Sequence, residues 1–115
     1  MAKNRTETLP TYGSIFRTVE ETARSKTFPQ GFFATQITLT GDGGFQPMYI
    51  RVEDGSVETA PYEYHGADFY IDCDTGVMAD ILNGKCTIYD AVSDGKAAVN
   101  GDAAKALVFI HAFFG

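Results

Sequence analysis

"ADFYIDCDTGVMADILNGKCTIYDAVSDGKAAVNGD", residues 67–102, changes its hydrophobic period repeatedly, and each change marks a new element. "ADFYID" alternates, with Phe69 and Ile71 on one face and Asp72 on the other, as a half-buried strand requires. "DTGVMADILNG" shifts to a helical period. Val77, Met78, Ile81 and Leu82 share a face, Asp74 or Thr75 supplies the N-cap, and Gly84 ends the helix. "CTIYDAV" makes a short helical turn and "GKAAVNG" a short strand. Asp102 then caps a final helix that runs to the end of the sequence.

The same two periods organise the first half. Residues 1–10 are polar, end at Pro10, and are read as a flexible leader. Thr11 caps a helix in which Tyr12, Ile15, Phe16, Val19 and Ala23 form an apolar stripe, with Arg17, Glu20, Glu21 and Arg24 outside it. The helix stops near Ser25, before the "FPQG" turn. "FFATQITLT" (32–40) places Phe33, Ile37 and Leu39 on one face and Gln36, Thr38 and Thr40 on the other. "GDGG" (41–44) is a hairpin turn. "FQPMYIRVED" (45–54) follows as a strand with Met48, Ile50 and Val52 facing one way and Tyr49 and Arg51 the other. Pro47 has no N–H to give, so this strand starts late or lies at an edge. "EDGSVETA" adds an Asp-Gly turn and a third strand through Val57 and Thr59. Only one parallel crossover fits this order. The expectation is a single α+β domain over residues 11–115, with helices covering one face of a mostly antiparallel sheet.

A chain of 115 residues has room for one core. Its net charge of -6, with only nine Lys and Arg, argues against a phosphate-tracking surface and hence a nucleic-acid partner, and repels an anionic membrane. No apolar run reaches the roughly 20 residues of a transmembrane span, and the N-terminal stretch lacks the apolar core of a signal peptide. The expected location is cytoplasmic, with Cys73 and Cys86 as reduced thiols.

Motifs for catalysis are not assembled. The glycine clusters lack the spacing of a phosphate loop, and "GDGG" lies between strands instead of before a helix. His65 and His111 have no Cys, His or carboxylate at metal-site spacing, so no metal or cofactor is expected. His65 falls in a loop, and His111 inside an apolar helix, where a core or cavity-wall histidine is the common case. Asp68, Asp72, Asp74 and Asp80 crowd the fourth strand and the next helix, but a cap, a polar sheet face and a solvated helix face account for them. Asp68 or Asp72 as a base is the enzymatic alternative. No GxSxG elbow accompanies the serines. The chain is read as a non-enzyme.

The residue left to explain is apolar surface. Nine Phe and six Tyr crowd a small domain, and "AAKALVFIHAFF" (103–114) is apolar nearly all round. Such a helix needs neighbours on every side. One sheet offers one, so a bound apolar ligand, another subunit or a membrane must meet the rest.

The 67–102 segment resembles the sterol carrier protein 2 family. That family's pattern has Ala-Asp opening a strand, here Ala67 and Asp68, and a helix ending in Gly-Lys, here Gly84 and Lys85. A short apolar turn with Ala91 follows, then a second Gly-Lys at Gly95 and Lys96. Gly101 and Asp102 open the last helix. The resemblance covers about residues 67 to 114 well and the earlier element order more loosely. It implies a five-stranded α+β sheet with helices on one face, enclosing an apolar tunnel for fatty acyl chains, sterols or similar lipids. Ala97 and Ala98 replace larger apolar residues of the family and imply extra room under the last helix. The peroxisomal Ser-Lys-Leu ending of some eukaryotic members is absent, which favours a stand-alone bacterial member.

The function expected on these grounds is non-enzymatic binding, with transfer as an extension, of a lipid or other apolar ligand. The expected lining is Phe16 and Val19 from the first helix, and Ile37, Leu39, Met48 and Ile50 from the sheet. Met78, Ile81 and Leu82 from the middle helix join Val99, Leu107, Ile110 and Phe114 from the end, with His111 toward the ligand's polar group. The alternative is an interaction module of the same fold that forms a homodimer through its C-terminal helix.

Overall fold

The computed structural model describes residues 10–41 and 43–115. The leader assigned to residues 1–10 therefore lies outside the described residues, apart from an exposed Pro10. Four helices and five strands follow, as α1 (Tyr12–Ser25), β1 (Phe32–Gly41), β2 (Gly44–Glu53), β3 (Ser56–Ala60), β4 (Phe69–Asp74), α2 (Thr75–Leu82), α3 (Ile88–Ser93), β5 (Ala97–Gly101) and α4 (Ala103–Phe114).

Local chemistry sets the helix ends. Thr11 and Ser14 cap α1 reciprocally, each side-chain oxygen accepting the other's backbone N–H at 3.1 Å. Asp74, Thr87 and Asp102 cap α2, α3 and α4 by accepting from the N–H of Val77, Asp90 and Lys105. Both Gly-Lys pairs are C-terminal caps of one kind. Gly84 and Gly95 adopt φ of +78° and +76°, and the N–H groups of Lys85 and Lys96 reach back to Asp80 and Ala91 carbonyls at 2.8 Å.

The sheet has the order β3-β2-β1-β4-β5, with every neighbouring pair antiparallel except β1 and β4. It is therefore a mixed, mostly antiparallel sheet, and the meander ends at β3. The return from β3 to β4 crosses the outer face, where Tyr64 packs on Tyr49 with centroids 5.0 Å apart and its N–H donates to Gln36. The fourth strand starts at Phe69, two residues later than the alternation at Ala67 indicates, because Asp68 is spent on other contacts described below. Pro47 lies within β2, opposite Thr38, in a stretch that β3 does not reach. The strand is an edge there, which reconciles proline with pairing to β1.

The inner face carries Phe33, Ile37 and Leu39 of β1, Met48, Ile50 and Val52 of β2, and Phe69, Ile71 and Cys73 of β4, all buried. Ile15, Val19 and Ala23 of α1, Met78 and Ile81 of α2, and Ala106, Phe109, Ile110 and Phe113 of α4 cover them. Thr35, buried on the same face, donates its hydroxyl to the Phe69 carbonyl at 3.2 Å, which removes the cost of an unpaired group. Burial also pushes the Cys73 thiol up to about 12, with the Asp74 and Asp72 charges adding to it. Ala97 faces inward opposite Cys73, but Ala98 pairs with Asp72 on the outer face. Only Ala97 therefore removes bulk from the interior.

Asp68 fixes α4 to the sheet. Its carboxylate accepts from the Ala34 N–H at 2.9 Å and from Lys105 Nζ at 3.3 Å, while its carbonyl accepts from the Asp102 N–H at 2.8 Å. Gly101 closes the same corner at φ +121°, where a Cβ would come within 2.6 Å of the Asp68 carbonyl and 2.7 Å of Phe69 Cα. Both neighbours are backbone and cannot step aside. Gly101→Ala should therefore cost at least about 3 kcal/mol. Gly13→Ala, on an exposed turn of α1 with nothing within 4 Å of the added carbon, should gain about 0.5 kcal/mol. Urea denaturation of both variants checks the contrast, and a Gly101→Ala protein as stable as the parent would contradict this corner.

Candidate functional site

α4 is closed against the sheet by phenylalanine. Phe109 stacks on Phe28 and Phe113 with centroids 5.6 and 5.3 Å apart, meets Phe69 at 5.5 Å, and Phe113 meets Phe114 edge-on at 4.7 Å. These rings occupy the space directly between the helix and β4. Phe28 comes from the segment after α1, which the sequence marks only as a turn.

The flank of α4 is different. One cavity of about 290 Å³ opens between Ile88, Tyr89 and Val92 of α3, Val99, Asn100 and Gly101 of β5, and Ala103, Ala106, Leu107 and Ile110 of α4. A second, of about 300 Å³, lies between Ile81 of α2, Gly84, Cys86 and Thr87 of the link to α3, and Ile110, His111, Phe114 and Gly115 at the end of α4. Ile88, Tyr89 and Ile110 border both, so the two cavities adjoin along one flank of α4, and together they are called the trough. Neither is lined by Asp, Glu, Lys or Arg. The polar groups at the second end are the Cys86 thiol, the Thr87 hydroxyl and the His111 imidazole. Each cavity alone is at the small end of ligand sites, and together they fall within the usual range.

The trough brings together Ile81, Val99, Leu107, Ile110, His111 and Phe114 of the lining expected from sequence. Leu82 borders a separate hollow of about 140 Å³ between α1 and α2. Val19, Ile37, Leu39, Met48, Ile50 and Met78 are buried in the packed core, and Phe16 is half-buried against it. His111 is exposed and borders the second cavity. Sequence reasoning passed over Ile88, Tyr89, Val92, Ala103, Ala106 and Cys86. The signal for the first three was the position of Val92, three residues after Tyr89 and four after Ile88, inside "TIYDAV", a stretch too short to define a face without its neighbours.

The carboxylates singled out from sequence have other positions. Asp72 is exposed on the outer sheet face, Asp74 caps α2, and Asp68 is committed to the corner of the fold; neither Asp68 nor Asp72 borders the trough. Among the described residues, no three His, Cys, Asp or Glu side chains gather as a metal site. Two larger hollows of about 520 and 490 Å³ lie around Pro10 and the start of α2, but Asp74 borders both and Asp80, Asn83 and Lys85 the first. Among the described residues no helix is long and apolar enough to cross a membrane.

Comparison with solved structures places this fold among sterol carrier proteins. The crystal structure of Sterol Carrier Protein 2 Like 2 from Aedes aegypti superposes with a TM-score of 0.71 at 17% identity, over 86% of this chain and 93% of that one. The solution structure of palmitated SCP2L2 from the same organism gives 0.69 at 16% identity, over 90% and 93%. Sterol Carrier Protein 2 from Yarrowia lipolytica, in its apo form, gives 0.57 at 19% identity, over 85% and 81%. No curated protein matches the sequence. The sequence pattern of the SCP-2 sterol transfer family does match, over residues 19–113, which takes in α1 from Val19, every strand and nearly all of α4. The chain belongs to the SCP-2 sterol transfer family.

Proposed function

We propose that this protein binds an acyl lipid, without catalysis, in the open trough along α4. The adjacency of the two apolar cavities, which share Ile88, Tyr89 and Ile110 as lining, carries the reading. A flexible chain fits two small adjoining spaces, whereas a rigid fused ring needs one broad space. The proposed arrangement puts the hydrocarbon between α3, β5 and the Leu107 side of α4, and the polar end near His111 and Thr87. Family membership supports a lipid ligand, as does the palmitate named for the mosquito protein.

Burial supplies the affinity. Each methylene removed from water contributes about 0.8 kcal/mol, and the ordering of chain and side chains offsets part of that gain. With no charged side chain on the wall, selectivity rests on length and shape. The acyl chain would lie beside the packed phenylalanines of the core and leave them undisturbed.

Mass spectrometry of an organic extract of the purified protein should find a co-purified acyl lipid. Leu107→Glu, which sets a charge on the first cavity's wall, should weaken binding of a fluorescent fatty acid at least about tenfold. Phe45→Glu on the outer sheet face should leave it unchanged. Equal affinity in the Leu107→Glu protein would remove the trough as the site. The thiols give a second readout. At pH 8 a group raised to about 12 stays protonated, so Cys73 should resist a thiol reagent until the protein unfolds. Cys86, half-buried at the second cavity, should react in the native state and more slowly once palmitate is bound. An unchanged Cys86 rate at saturating palmitate would contradict occupation of that cavity.

A further inference from the structure

The trough opens through a surface on which apolar side chains gather in the open. Ala104, Leu107, Val108 and His111, all exposed, recur at the i, i+3, i+4, i+7 spacing of one helix stripe. A solvated stripe is normally charged, yet three of these four residues are apolar. Leu107 is 57% exposed and Val108 41%, and α3 contributes Tyr89 at 55% and Val92 at 40%. Tyr89, Val92 and Leu107 meet at the first cavity, so the exposed patch and the cavity mouth are continuous.

Charge and area narrow what this surface fits. α3 and its C-cap carry Asp90 and Asp94, and no Lys or Arg. Lys105, the cation of α4, is held by Asp68 and lies over the Phe32 ring. Lys96, in the turn after α3, is outnumbered by those two carboxylates. Basic residues near the surface are what attract anionic head groups, at about 1 kcal/mol each, and this patch offers no cluster of them. Four such side chains expose on the order of a few hundred Å², well short of the roughly 800 Å² per partner of a stable protein interface. Shallow insertion into a bilayer needs no such area, and a tyrosine with its ring in acyl chains and its hydroxyl among head groups suits that depth.

We propose that α3 and α4 dock on an electrically neutral lipid surface through Tyr89, Val92, Leu107 and Val108. An acyl chain then passes between bilayer and trough without crossing water. The inference rests on the trough being an acyl-chain site, and gives that site its point of entry.

The chain has no tryptophan, so an introduced one reports its own surroundings. On phosphatidylcholine vesicles, Val108→Trp should shift its emission to the blue and be quenched by brominated acyl chains. Phe45→Trp, on the outer sheet face, should show neither. Should Val108→Trp fail to fold, Leu107→Trp reads the same surface. Val108 does not border the trough, so Val108→Glu should bind free fluorescent fatty acid as the parent does while losing at least about tenfold in vesicle affinity. No emission change on phosphatidylcholine, or a change only on anionic phosphatidylglycerol vesicles, would overturn the proposal. So would elution as a dimer with the introduced indole already shielded before lipid is added. Fatty-acid uptake without vesicle binding sinks the docking surface alone, whereas vesicle binding without uptake supports docking and sinks the trough.

Discussion

The corner at Asp68 sets where α4 can lie, and the rest of the site follows from that. The carboxylate holds the start of β1 through the Ala34 N–H and reaches Lys105 on α4, while its carbonyl takes the first N–H beyond β5. Gly101 lets the backbones approach this closely because a side chain has no room there. The exposed part of the ion pair contributes little by itself, but the backbone bonds fix direction. With its N-terminus pinned at this corner, α4 lays Phe109 and Phe113 on the sheet and leaves its Leu107 side facing α3.

Packing then separates the two sides of one helix. On the inner side, aromatic rings with few rotamers pack against one another, Phe109 lying with its centroid 5.3 to 5.6 Å from those of Phe28, Phe69 and Phe113. On the flank, small residues line up instead: Ala103 and Ala106 on α4 and Gly101 on β5. Short side chains there, against a helix only six residues long, are what make the groove. The protein thus combines a packed core with an adjacent apolar hollow.

Much of this was legible in the residues. Alternation in "FFATQITLT" and the stripe from Tyr12 to Ala23 mark inward faces correctly, because period alone decides which side chains leave water. The Gly-Lys and Gly-Asp pairs that carry the family likeness have plain structural jobs, as left-handed caps and a close backbone approach. Period cannot tell a filled interior from a hollow one, however. Ile37, Met48 and Ile50 face inward as expected and are buried in the core, while Ile110 faces inward and borders a cavity. The difference lies in neighbours distant in sequence. For His111, an apolar stretch leaves a core and a cavity-wall position equally open, and in the structure the residue is exposed beside the second cavity.

The central claim is that ligand occupies the flank of α4 and not the space beneath it. Methyl NMR of the intact protein titrated with palmitate tests this most directly. The account predicts shifts at Ile88, Val92, Val99, Leu107 and Ile110, with Ile37, Leu39 and Ile50 nearly still. Large shifts at those three sheet residues, with α3 unmoved, would place the ligand in the core and contradict it.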